Sequence, residues 1–230
     1  MNDSRLQRRG FTFWQVVLLL GTVGLLAAIL FPIFGRSRNP GKRSSCQSNL
    51  KQISLGIKQY IQDYDARFPV IASGARANSG KVGDLSAFGW ADAIQPYLKS
   101  TQIYQCFEES NGSNASYPNK ADPTKTQYTD YWFNARLSHV RERQILEPAQ
   151  TILLGDGNDG SDVTNARYHL MSIPEKWRGD ENSPLYRHRE GANFAFADGH
   201  VKGFPARSWK NSVSHHRGAT FLLGSGKVTD

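Results

Sequence analysis

The chain has 230 residues, a formal net charge of +8 and a mean hydropathy of −0.52. With 39% hydrophobic and 21% charged residues it is neither a polytopic membrane protein nor a disordered or collagen-like chain. Two cysteines exclude a disulfide-rich mini-protein.

Residues 1–10, MNDSRLQRRG, carry Arg5, Arg8 and Arg9. Residues 11–35, FTFWQVVLLLGTVGLLAAILFPIFG, carry no formal charge, and 18 of the 25 are hydrophobic. As a helix this segment covers roughly 37 Å, enough for a hydrocarbon core of about 30 Å. One membrane span is expected. A basic stretch before an apolar one also describes a secretory signal, but this stretch is long for an h-region and no A-x-A-like site follows. Arg36, Arg38, Lys42 and Arg43 lie beyond the span, so charge alone does not orient it.

Residues 36–45 read as a polar, basic link. Asn39-Pro40-Gly41 is a turn signal, so the long helix is expected to break or bend there. Leu50, Ile53, Ile57, Tyr60 and Tyr64 follow at spacings of three and four, one face of an amphipathic helix over about 44–64. Such a stripe needs a partner, most simply a sheet. Residues 70–84 and 108–127 read as loops, and a short helix is expected over 90–98. Strand-like runs fall at about 129–134, 151–155, 193–197, 200–204 and 219–223. The sum is an α+β fold with long loops.

Residues 187–204, RHREGANFAFADGHVKGF, alternate Phe194 and Phe196 with Ala195 and Ala197, a strand with one bulky face. Asp198-Gly199 is a hairpin signal, and His200 opens the return strand. His188 stands ten residues before Asp198, giving H-x9-D-G. His188, Asp198 and His200 read first as local structure around the turn. Two imidazoles and a carboxylate are also a metal-ligand set. Asp156, Asp159 and Asp162 form a Gly-rich acidic loop, a candidate Ca²⁺ site, although the spacing departs from the EF-hand. His215 and His216 are adjacent and read as an exposed loop.

The N-terminal pattern resembles a type IV prepilin or type II secretion pseudopilin. Gly10-Phe11-Thr12 between a basic leader and an apolar segment is similar to the prepilin cleavage site, and Pro32 matches the family's usual proline. The resemblance implies cleavage between Gly10 and Phe11 by a prepilin peptidase, and N-methylation of Phe11. Residues 11–35 then become a transmembrane and assembly helix. Where the family has Glu at the fifth mature position this chain has Gln15, which hints at a minor subunit. The C-terminal half resembles the H-X9-DG domain found behind such leaders, a DUF1559-like chain. SSCQSNLKQISLGIKQYIQDYDARFP (44–69), Pro96-Tyr97-Leu98 with Ile103 to Cys106, and Pro148 to Asp156 add to that likeness. The implied fold is pilin-like: a long N-terminal transmembrane helix, then an amphipathic helix on a small antiparallel sheet. The implied domains are leader 1–10, assembly helix 11–35, link and amphipathic helix 36–69, and an extracytoplasmic head 70–230.

The implied location is the bacterial inner membrane. The N-terminus would be cytoplasmic and the head periplasmic, and the subunit would enter a secretion or pilus filament. The partners are prepilin peptidase, other pilin-like subunits and membrane lipid. Outside the membrane Cys46 and Cys106 are expected to form a disulfide, with two buried thiols as the alternative. No G-x-S-x-G, H-E-x-x-H or P-loop is present, so no catalytic residues and no enzyme are expected, and no cofactor beyond Ca²⁺. The basic balance leaves nucleic acid as a less favoured partner, because the charges at 36–43 suit anionic headgroups. A membrane-anchored binding protein that keeps a prepilin leader without polymerising is the alternative function.

Overall fold

A computed structural model describes residues 12–73, 88–108, 126, 128–160, 164–188, 191–209, 215–216 and 218–223; for 29–42, 72–73, 88 and 215–216 it describes the backbone only. The chain divides into two units, Met1–Gly41 and Lys42–Asp230.

One helix, α1, runs from Phe13 to Asp63. The expected break at Asn39-Pro40-Gly41 is corrected: this stretch is helical backbone. A proline in a helix loses one hydrogen bond and crowds the preceding turn. Extending a helix from both flanks needs no new nucleus, which offsets that penalty. In the first unit, Phe13, Trp14 and Val16 to Leu20 are all exposed, as are Val23, Leu25 and Leu26. Successive residues turn by about 100° around a helix, so these side chains cover every face. Among the described residues no helix is long and apolar enough to cross a membrane. The expected span is therefore not established by the fold, and the apolar surface described ends at residue 28.

In the second unit α1 has one buried stripe: Cys46, Leu50, Ile53, Ile57 and Ile61. The stripe ends on Ile61 rather than Tyr64. Tyr64 is 54% exposed and stacks on Tyr60 with ring centroids 4.2 Å apart.

The strands are β1 (Ala72–Ser73), β2 (Phe88–Gly89), β3 (Tyr131–Asn134), β4 (Ile152–Asp156), β5 (His169–Leu170), β6 (Gly191–Phe196), β7 (Val201–Pro205), β8 (His215–His216) and β9 (Ala219–Thr220). β3 to β7 form one sheet in the order β5-β3-β4-β6-β7. β5 runs parallel to β3 and the other pairs are antiparallel. The sheet is thus mixed rather than purely antiparallel. His215-His216 pairs with Ala219-Thr220 as a small hairpin instead of an open loop.

Both faces of the sheet are covered. On one, Phe133, Leu154, Ala195 and Ala197 join the α1 stripe in a single core. On the other, Trp132, Phe194, Phe196, Phe204, Trp209 and Phe221 form a second core. The Phe/Ala alternation of β6 explains the asymmetry, with the small side chains on the helix side and the rings opposite. An irregularity in the β4–β6 register between Ile152 and Leu154 places Leu153 and Leu154 both in the helix-side core.

A second helix, α2 (Trp90–Ile94), continues as a 3-10 turn over Gln95–Tyr97, as expected for 90–98. Its N-cap is Gly89, and a Cβ there would lie 2.1 Å from the Ala166 carbonyl oxygen. Two backbones meet, so neither can yield as a side-chain tip would. Gly89→Ala is expected to cost about 1–3 kcal/mol by overpacking, read as a lower urea midpoint with an unchanged slope.

Candidate functional site

Four parts of the fold converge behind the sheet. Cys46 lies on the buried stripe of α1. Cys106 follows a 3-10 turn, Thr101–Tyr104, and its N–H donates to Asp130 Oδ2 at 2.6 Å. His188 follows the 3-10 turn Pro184–Tyr186, and its N–H donates to the Gly191 carbonyl at 2.8 Å. Asp156 ends β4, where its Oδ2 accepts the Asn193 N–H at 2.6 Å. All four residues are at most 1% exposed.

The Sγ atoms of Cys46 and Cys106 are 2.7 Å apart. The two cysteines thus meet, and they stand as buried thiols, the alternative to the bridge. Cys106 Sγ is 3.5 Å from His188 Nε2, and Asp156 Oδ2 is 3.3 Å from the same nitrogen. The other ring nitrogen, Nδ1, is 2.6 Å from Glu108 Oε2. The hydrogen bond to Cys46, then burial, holds the Cys106 thiol well above its usual range. Burial alone would lower His188, but the charge of Asp156 and hydrogen bonds to Asp156 and Cys106 outweigh it and raise the ring to about 10.

His188 and Asp198, the ends of H-x9-D-G, belong to separate networks. Asp198 Oδ1 accepts the His200 N–H at 3.0 Å and lies 2.7 Å from His200 Nδ1. Gly199 has φ +92°, as the turn demands. The His200 ring stacks on Phe196 at 4.2 Å. His188, Asp198 and His200 are therefore not one ligand set. Among the described residues the His, Cys and carboxylate atoms that converge belong to Cys46, Cys106 and His188.

The candidate Ca²⁺ loop is described in part. Asp156 faces His188 and Asn193. Asp159 pairs with Lys176 and accepts the Trp177 Nε1–H at 2.8 Å. Asp162 lies outside the described residues, as do Gly10 and Phe11. Pro32 is helical backbone within α1. Gln15 Oε1 accepts the Thr12 N–H at 3.0 Å, which caps the start of its own helix. Sequence reasoning missed Glu108 as the partner of His188. A carboxylate closing the apolar run TILLGD was the available signal that Asp156 is buried for a reason.

Burial raises the Asp198 carboxyl, but the His200 backbone and ring outweigh it, so the net shift is downward. With the folded value below the unfolded one, its stabilisation is present above the unfolded value of about 3.9 and is lost as pH falls through the folded value. His200→Ala is expected to flatten the fall in urea midpoint between about pH 5 and about pH 3.

A family model described as SBP_bac_10, Protein of unknown function (DUF1559), matches residues 37–140. The match includes Cys46, Cys106 and Glu108 and stops before Asp156 and His188, so the chain is similar to that family over 37–140 of its 230 residues. No curated protein matches the chain, and no solved structure does.

Proposed function

We propose that the protein is a pilin-like structural subunit of a type II secretion or type IV pilus-like filament. It would be made as a single-pass inner-membrane precursor with the head outside the cytoplasm. Prepilin peptidase would cut it between Gly10 and Phe11, and Phe11 would be N-methylated. The supporting observation is the surface of α1 over 13–28. A helix apolar on every face needs an apolar surround, either lipid or neighbouring stems. A pilin-like stem meets lipid before assembly and other stems after it. The DUF1559 likeness over 37–140 accords with this class.

The test is N-terminal sequencing of the native protein with and without prepilin peptidase. A start at methyl-Phe11 only when the peptidase is present supports the reading, and an intact Met1 in both overturns it.

Gln15 favours a second reading, a membrane-anchored binding protein that does not polymerise. Its amide is engaged with Thr12 of its own chain and brings no charge to a neighbour's terminal amine. Gln15→Glu is expected to raise the crosslinked oligomer fraction if the chain is a filament subunit. An unchanged monomer would favour the anchored binder.

A further inference from the structure

The cluster behind the sheet uses its groups in a way that two thiols alone do not require. We propose that Cys46, Cys106 and His188 form a structural site for a zinc-class divalent cation, and that Asp156, which touches the cluster through His188 Nε2 at 3.3 Å, swings in as the fourth ligand on loading. Cys46 Sγ, Cys106 Sγ and a ring nitrogen of His188 lie within 4.8 Å of one another.

Tetrahedral zinc, with Zn–S about 2.3 Å and Zn–N and Zn–O about 2.0–2.1 Å, has S···N edges of about 3.5 Å and N···O edges of about 3.3 Å. The Cys106 Sγ to His188 Nε2 separation is 3.5 Å, and His188 Nε2 to Asp156 Oδ2 is 3.3 Å. The sulfur pair, at 2.7 Å, opens by about 1 Å on loading to reach the edge of the same tetrahedron.

Three further features point to a cation rather than a bridge between the sulfurs. Glu108 holds Nδ1 of His188, the carboxylate–histidine arrangement that fixes a ligand's ring and turns Nε2 toward a metal. Asp156 Oδ1 is buried without a hydrogen-bond partner, so beside the Oδ2 that faces His188 this carboxylate keeps an unused lone-pair site. A disulfide would employ the sulfurs and leave the Glu108–His188–Asp156 chain of ion pairs beside it with no ligand to hold. Two sulfurs, one imidazole and one carboxylate suit zinc better than calcium or magnesium, which take oxygen ligands. Metal entry displaces the thiol protons and the Nε2 proton into solvent. Cys46 belongs to α1, Cys106 and His188 to the loops it packs on, and Asp156 to the end of the central strand β4. A closed four-ligand site of this kind ties those parts together and leaves no open position for chemistry.

The test uses the full chain in detergent, purified under a phosphine reductant and loaded with zinc or cobalt. One zinc per chain is expected by native mass spectrometry. The cobalt form is expected to show a near-ultraviolet thiolate charge-transfer band. Cys46→Ser and His188→Asn are expected to lose the metal. Glu108→Gln leaves the ligands intact and is expected to weaken zinc about 10–100-fold in a chelator competition. It separates a metal role from mere misfolding, and circular dichroism reports the fold of each variant. His200→Ala is expected to retain full zinc. Reduced wild-type chain that takes up no zinc overturns the proposal. So does native chain, isolated without reductant, that is metal-free and lighter by the two hydrogens of a disulfide.

Discussion

The Trp132→Ala chain is expected to lose about 3–5 kcal/mol of head stability, the range for truncating a buried indole. Trp132 is fully buried. Its ring stacks on Phe221 at 5.1 Å and tilts against Phe194 at 5.9 Å. Removing it opens the second core where strands β3 and β6 and the C-terminal segment meet. Its Nε1–H also donates to the Asp156 carbonyl at 2.7 Å, so that acceptor is left to find another donor. Trp132→Phe keeps most of the volume and loses the bond, and should cost about 1–3 kcal/mol. Urea denaturation followed by fluorescence and by circular dichroism separates the two. Equal midpoints for Trp132→Ala and wild type would contradict this account of the core.

Leu20→Arg combined with Leu26→Arg should leave the melting temperature of the head unchanged while releasing the chain from membranes. Both leucines are exposed, at 65% and 58%, and neither joins either core of the head. An arginine near the centre of a span costs about 2.5–3.5 kcal/mol on the insertion scale. Two therefore cost about 5–7 kcal/mol, roughly four orders of magnitude in partitioning. Carbonate extraction of membranes is the readout. A double variant that still sediments with the membrane would remove the basis for reading α1 as a membrane stem.

The periodic parts of the molecule were legible because periodicity is local. Leu50, Ile53 and Ile57 declared the buried stripe, and Phe194 to Ala197 declared a strand with unlike faces. The link at 36–45 misled for the opposite reason. Asn39-Pro40-Gly41 is a turn by local preference, and the helices on either side override it. Of the site, the pairing of Cys46 with Cys106 was legible, and their sulfurs lie 2.7 Å apart; that His188 joins them, 82 residues from Cys106, was not. H-x9-D-G drew His188 toward Asp198 by spacing, yet the hairpin carries Asp198 to His200 and the chain before β6 carries His188 to Cys106. The local reading of Asp198-Gly199-His200 as a turn therefore holds, while His188 is placed by chain segments that meet only in the folded head.

The helix-side core has a consequence for how the chain is made. Gln47 meets Asn193 and Lys51 meets the Gly199 carbonyl, contacts 146 and 148 residues apart. The ribosome must therefore finish most of the chain before the stripe on α1 can be covered. Long-range pairings of this kind slow folding and keep apolar surface in solvent meanwhile. The β6–β7 hairpin supplies both of those late partners. A stop codon before residue 205 removes part of the β7 partner of β6 and is expected to yield a protease-sensitive chain.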